Sequence, residues 1–191
     1  MSDEILDEIL TNNKHFLHNT QLPSIGHAPR KRLAVVTCMD CRLLEMFEPA
    51  LGLKRGDAVE LRTAGATISQ PERARGANDL IRSLAGAIYL LGVRTILVVG
   101  HTQCGLSHIE PAVLTSSMQA LGVDPQQLIE REGLDDMNGL ISWVGGFSDV
   151  HLNVSETVQV IRNSPYLPKL PIHGLVIDIN TGELVVVDAA K

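Results

Sequence analysis

The chain has 191 residues, enough for one domain with a full core, and its 45% hydrophobic and 20% charged residues are ordinary for a globular protein. A formal net charge of −6 argues against nucleic acid as a partner. No apolar run approaches the roughly 18 residues of a membrane helix, and the opening MSDEILDEIL is acidic where a secretion leader is basic, so no membrane partner and a cytoplasmic location are expected.

Residues 3–17 predict an amphipathic helix, with Ile5, Leu6, Ile9, Leu10, Phe16 and Leu17 as its apolar positions. Pro23, Gly26 and Pro29 then break the pattern, so residues 1–29 read as a helix and linker ahead of one domain filling the chain. The helix is expected to pack either on a second subunit, making a dimer, or on its own domain. Arg30, Lys31 and Arg32 form the one dense basic run and read as a solvated lead-in to a strand. Residues 33–37 (LAVVT) are continuously apolar, as in a strand buried on both faces. A second strand is expected over residues 58–61, entered through Gly56-Asp57. From Gly76 to Leu91 the apolar residues recur at helical spacing, and Gly92 is placed to end that helix. Residues 95–99 (TILVV) predict another buried strand.

Residues 106–146 are harder to assign. Helical pieces are expected at 112–121 and 125–131, followed by the glycine-rich WVGG, where Trp143 and its glycines read as loop packing. Residues 148–162 predict a helix closed by Asn163-Ser164-Pro165, and residues 175–179 and 184–187, joined through Asn180-Thr181-Gly182, predict a hairpin. The fold class is therefore α/β: a central, mostly parallel β-sheet flanked by helices, with a C-terminal hairpin at its edge and an N-terminal helical extension.

Two motifs occupy equivalent places in this architecture. LAVVT runs into Cys38-Met39-Asp40-Cys41-Arg42, and TILVV runs into Gly100-His101-Thr102-Gln103-Cys104-Gly105. Ligands of open α/β sheets bind beyond the carboxyl ends of the strands, where strand order reverses. If the two strands are neighbours, their tips gather two thiols and an imidazole. Zinc suits these donors, and three protein ligands with one open position make a catalytic site that acidifies a water. Two thiolates put more negative charge on the metal than three imidazoles, so that water is expected to be less acidic. Asp40 beside the site can bind the metal as a fourth ligand or orient the attacking oxygen, and Arg42 can hold it ionised and off the metal.

An odd count of three cysteines, Cys38, Cys41 and Cys104, speaks for metal or redox chemistry over a disulfide framework. Cys38-x-x-Cys41 is also a redox spacing, and Cys38, Cys41, His101 and Cys104 together make a closed, structural zinc set. The redox reading leaves His101 and Cys104 unexplained. The closed set asks residue 41 to point the same way as residue 38. The remaining histidines (His15, His18, His27, His108, His151 and His173) lack ligand spacing and read as surface or structural residues, with His108 near enough to the motif to shuttle protons.

Cys38-x-Asp40-x-Arg42 followed by His101-x-x-Cys104 resembles the β-class carbonic anhydrases. TCMDCRL, RTAG at 62–65, VVGHTQCG ending at Gly105, and HGLVIDINTGEL at 173–184 are similar to the small prokaryotic and archaeal-type branch of that class. The resemblance covers roughly residues 30–187. It implies one zinc per chain on Cys38, His101 and Cys104, with Asp40 paired to Arg42 or, in a closed state, acting as fourth ligand. It further implies reversible hydration of carbon dioxide to bicarbonate, and a homodimer or multiple of dimers. Relatives with the same zinc motif hydrolyse carbon disulfide or carbonyl sulfide, which is the runner-up reaction. Cys41 stands where the family usually has Ser or Ala, Thr63 where it has Asn, and Gln103 where this branch often has Asp. The glutamine that plant-type members place ahead of the first cysteine is missing from His27-Ala28-Pro29-Arg30.

Overall fold

The computed structural model describes residues 2–68 and 78–190. Five strands make one sheet: β1 (Leu33–Cys38), β2 (Ala58–Thr63), β3 (Thr95–His101), β4 (Ile172–Ile177) and β5 (Leu184–Asp188). Their order is β2-β1-β3-β4-β5. The first four are parallel and β5 pairs antiparallel with β4, giving the expected edge hairpin. The chain moves from β1 outward to β2 and returns to the other side of β1 with β3. Strand order therefore reverses between β1 and β3, and their carboxyl ends flank the crevice.

Seven α-helices accompany the sheet among the described residues: α1 (Ser2–Asn19), α2 (Phe47–Ala50), α3 (Asp79–Tyr89), α4 (Pro111–Ala120), α5 (Pro125–Glu132), α6 (Met137–Trp143) and α7 (Val150–Asn163). Strand alternation splits the core into two layers. Ala34 and Val36 of β1 join Ile96 and Val98 of β3, Val176 of β4, Ile81, Leu84 and Ile88 of α3, and Val154, Val158 and Ile161 of α7. On the opposite face Val35, Val99 and Ile177 pack with Leu43, Phe47, Cys38 and Cys104. The two cysteines thus sit in the smaller layer, at its carboxyl end.

Helix α7 lies unusually close to the sheet. A Cβ on Gly100 would come within 2.7 Å of Val154 Cγ2, and one on Gly174 within 2.7 Å of Val154 Cγ1. Both glycines are therefore required where they stand. This explains one difference from the sequence reading: β4 starts at Ile172, with Gly174 inside it, and ends at Ile177, so residues 178 and 179 belong to the turn. Helix α6 is a second difference. Its Asp136 cap accepts from Gly139 N at 2.9 Å, but a glycine inside seven residues weakens the helical pattern. The expected helix start at Gly76 and Ala77 lies outside the described residues. From Asn78, whose side chain accepts from Ile81 N at 2.9 Å, the helix runs to Tyr89, two residues short of the expected Leu91.

Helix α1 does not rest on its own domain. Every residue from 4 to 19 is exposed, including Ile5, Leu6, Ile9, Leu10, Phe16 and Leu17. No described helix is long and apolar enough to cross a membrane. The basic run is tied down ahead of β2, where Arg30 pairs with Asp57 at 2.7 Å and Lys31 N donates to Asp57 O at 3.0 Å.

Candidate metal centre

Cys38 closes β1 and His101 closes β3, on directly paired strands. Both are almost fully buried, at 2% and 1% exposure, and Cys104 is at 6%. After Cys38 the chain leaves the sheet through Met39, whose N–H donates to Thr63 O at 2.9 Å. Asp40 then caps a single 3-10 turn (Cys41–Leu43) by accepting from Arg42 N at 2.9 Å, and Leu43 is driven into the core. After His101 the chain doubles back sharply, with Gln103 at φ 53, a left-handed conformation unusual for a side-chain-bearing residue. That reversal returns Cys104 toward Cys38, and the two sulfurs stand 3.8 Å apart. The donor atoms of Cys38, His101 and Cys104 all lie within 4.8 Å of one another.

His101 Nδ1 lies 2.9 Å from the carbonyl oxygen of Thr102. A carbonyl has no proton to give, so Nδ1 donates and the lone pair of the neutral ring belongs to Nε2. Nε2 is fully buried and has no hydrogen-bond partner among the described residues. A buried acceptor left in this state is costly unless something electropositive meets it. Between two sulfurs, the group that answers this chemistry is a metal ion of the zinc type. The residues present therefore fit such an ion.

The Cys38–Cys104 pair is prepared to lose one proton, from Cys38. Without a metal, the Cys104 thiol lowers the Cys38 pKa to about 4, against the opposing effect of burial, with further help from His101 and from the backbone amides of Asp40 and Gly65. The same contact and burial push Cys104 upward, so one proton is shared by the pair. Burial works to lower the His101 pKa, but the Cys38 sulfur, the Thr102 carbonyl and the Asp40 carboxylate raise it overall.

Asp40 and Arg42 sit at the mouth of this cluster. Arg42 Nη2 meets Asp40 Oδ2 at 2.7 Å and Nε meets Oδ1 at 3.0 Å, a bidentate pair that holds the carboxyl at about 2. Asp40 Oδ2 is also 3.7 Å from His101 Nε2. Cys41 is exposed and stands outside the three-donor cluster.

Of the other residues singled out, Gln103 contributes its carbonyl to Arg42 Nη2 at 2.8 Å while its side chain is exposed. His108 is exposed on the turn beyond Cys104, and His173 accepts from Ala190 N at 3.2 Å in a structural role. In the RTAG segment Gly65 is the critical residue. At φ 65, any Cβ there would lie 2.8 Å from Gly145 O and 2.9 Å from Phe147, so Gly145 of the WVGG run packs directly on this segment. Asn153 was not anticipated. It is a buried amide on the apolar face of α7 that donates to Gly65 O at 2.9 Å and receives Thr67 Oγ1 at 3.0 Å. Its signal in the sequence was an amide three residues after Val150 and four before Thr157, on the core-facing stripe of the helix.

A family model described as carbonic anhydrase matches residues 33–184. YvdA of Bacillus subtilis, which bears the carbonic anhydrase name, is 38% identical over 95% of this chain and 90% of its own length. A carbon disulfide hydrolase of Acidithiobacillus thiooxidans is 30% identical over 84% of this chain and 79% of its own length. The crystal structure of a β-carbonic anhydrase from Trichomonas vaginalis superposes with a TM-score of 0.85 at 34% identity, covering 97% of this chain and 98% of that one. The family match over most of the chain, the 38% identical relative and the shared α/β fold together establish that the chain is an enzyme of the β-carbonic anhydrase family.

Proposed function

We propose that this enzyme reversibly hydrates carbon dioxide to bicarbonate and a proton, with one zinc ion per chain on Cys38, His101 and Cys104. The observation that carries the reading is the partnerless, buried His101 Nε2 facing two sulfurs 3.8 Å apart at the strand-order reversal. When bound, zinc with three protein ligands acidifies water and supplies a nucleophile to a small electrophile. The chain's residues do the rest. Arg42 keeps Asp40 ionised and turned toward itself, so Asp40 acts only as a hydrogen-bond acceptor. It would accept a hydrogen bond from the attacking oxygen and so orient that oxygen's lone pair toward the carbon. Freed from Arg42, Asp40, whose Oδ2 lies 3.7 Å from His101 Nε2, would serve as a fourth ligand in a closed state.

Cys41 stands outside the three-donor cluster, which argues against the closed four-residue site, and the burial of Cys38 with its sulfur against that of Cys104 argues against a Cys38–Cys41 redox pair. The same centre supports a second reading, hydrolysis of carbon disulfide or carbonyl sulfide, favoured by the Acidithiobacillus relative. Stopped-flow hydration of carbon dioxide, run beside sulfide release from both sulfur substrates on the zinc-loaded enzyme, separates the two. Sulfide release without carbon dioxide hydration would put the sulfur substrates first.

The functional unit on this reading is one catalytic domain whose first 29 residues form an arm across a second copy. Six large apolar side chains on α1 have no cover among the described residues, and an isolated 18-residue helix is marginal without packing.

A further inference from the structure

The acceptor that fixes the His101 ring is a peptide carbonyl, and a carbonyl is only as well placed as the residue bearing it. Thr102 bears it, and Thr102 is held by the turn between β4 and β5. Its N–H donates to Ile177 O at 3.0 Å. Its hydroxyl receives Ile179 N at 3.0 Å and donates to Asp178 Oδ2 at 3.2 Å. Asp178 is immobilised in its turn by the other oxygen, Oδ1, which accepts from Asn180 N at 2.9 Å and Thr181 N at 2.8 Å. A continuous line of hydrogen bonds therefore runs from the turn amides through Asp178 and Thr102 to Nδ1 of His101, joining residues 77 apart in sequence.

We propose that Thr102 and Asp178 are positioning residues for the metal centre, holding His101 in its Nδ1-protonated form with Nε2 aimed between the two sulfurs. This rests on reading Cys38, His101 and Cys104 as the ligands. The tether itself is independent of that reading, because it exists among protein atoms alone. Hydrogen-bond partners behind a ligating histidine fix its tautomer and orientation, and their loss typically weakens metal binding.

The test uses the full chain with Thr102→Val, Thr102→Ser and Asp178→Asn. Zinc affinity is read by competition with a chromophoric chelator, and the His101 ring nitrogens are read by 15N NMR on metal-stripped protein. Thr102→Val removes the hydroxyl at nearly constant volume and is expected to weaken zinc binding roughly 10- to 100-fold. Its ring spectrum should lose the single Nδ1-protonated signature. Thr102→Ser restores the hydroxyl and should restore both readouts. Asp178→Asn keeps an acceptor for the turn amides but presents an N–H to Thr102, and should fall between. Should Thr102→Val fail to fold, Asp178→Asn carries the test. Wild-type affinity and an unaltered ring spectrum in a folded Thr102→Val protein overturn the proposal, as does a Thr102→Ser protein no better than Thr102→Val. If the wild type takes up no zinc, the ligand assignment fails, and the ring spectra still decide whether the tether exists.

Discussion

Arg42 donates from one nitrogen, Nη2, both to Asp40 Oδ2 at 2.7 Å and to the carbonyl oxygen of Gln103 at 2.8 Å. The first contact lies within the loop after β1 and the second reaches the loop after β3. One guanidinium thus clamps the loops after β1 and β3 together and fixes the carboxylate between them, which a lysine with a single ammonium could not do with the same geometry.

Removing the clamp should cost rate before it costs metal. Arg42→Ala is expected to keep about one zinc per chain while losing roughly 10- to 100-fold in turnover. Elemental analysis beside stopped-flow hydration checks this, and an unimpaired rate would reduce the pair to a structural role.

The same pair predicts a titration. Arg42 holds the Asp40 carboxyl at about 2, below the ordinary value near 3.9. With the folded value depressed, the pair stabilises the fold fully above about pH 4 and loses that contribution as pH falls through about 2. Side-chain carbonyl NMR should place the Asp40 midpoint near 2 in the wild type and closer to 3.9 in Arg42→Ala. A wild-type midpoint near 3.9 contradicts the assignment.

Ligation separates the three cysteines. Cys104→Ala should lose most of its zinc, whereas Cys41→Ser, altering an exposed side chain outside the cluster, should keep both zinc and activity. Metal loss on Cys41→Ser with the fold intact would point to the closed structural site.

The uncovered helix makes assembly measurable. Light scattering at micromolar concentration should give at least twice the 20.7 kDa chain mass. Replacing Ile9 and Leu10 by aspartate should reduce that mass without unfolding the sheet, since both side chains are exposed. A monomeric wild type would reject the arm.

Gly100 offers a test of the tight α7 contact. In Gly100→Ala the new methyl would lie within 2.8 Å of both Val150 and Val154, so the helix must shift. Overpacking of this kind costs about 1–3 kcal/mol, equivalent to a fall of several degrees in thermal midpoint. Because Gly100 precedes His101, zinc affinity should fall as well.

Most of the sheet was legible because its strands are buried on both faces and announce themselves as unbroken apolar runs. Val35, Val36, Val98 and Val99 leave little alternative. Two donors of the cluster were legible because Cys38 and His101 close their strands, and Cys104 follows within the turn after β3. What sequence hid was non-local. Gly174 reads as a break until α7 is seen lying against it, and Asn153 reads as a surface residue until Gly65 O is found beneath it. Thr102 and Asp178 were passed over for the same reason: their hydroxyl and carboxylate have meaning only once β4 is laid beside β3. The packing of α1 was undecidable from its own pattern, since an apolar stripe says that something covers it but not which chain supplies the cover.

The place of β4 beside β3 also sets an order of assembly during synthesis. All three thiols have been made once Cys104 is added, but the strand that supports His101, and the turn that tethers Thr102, arrive about 70 residues later. At roughly 5–20 residues per second, the growing chain carries its cysteines for several seconds before the sheet can enclose them. The layer around Cys38 and Cys104 is completed by Ile177 of β4 and Leu184 of β5, so the burial of these two thiols waits until that hairpin has emerged.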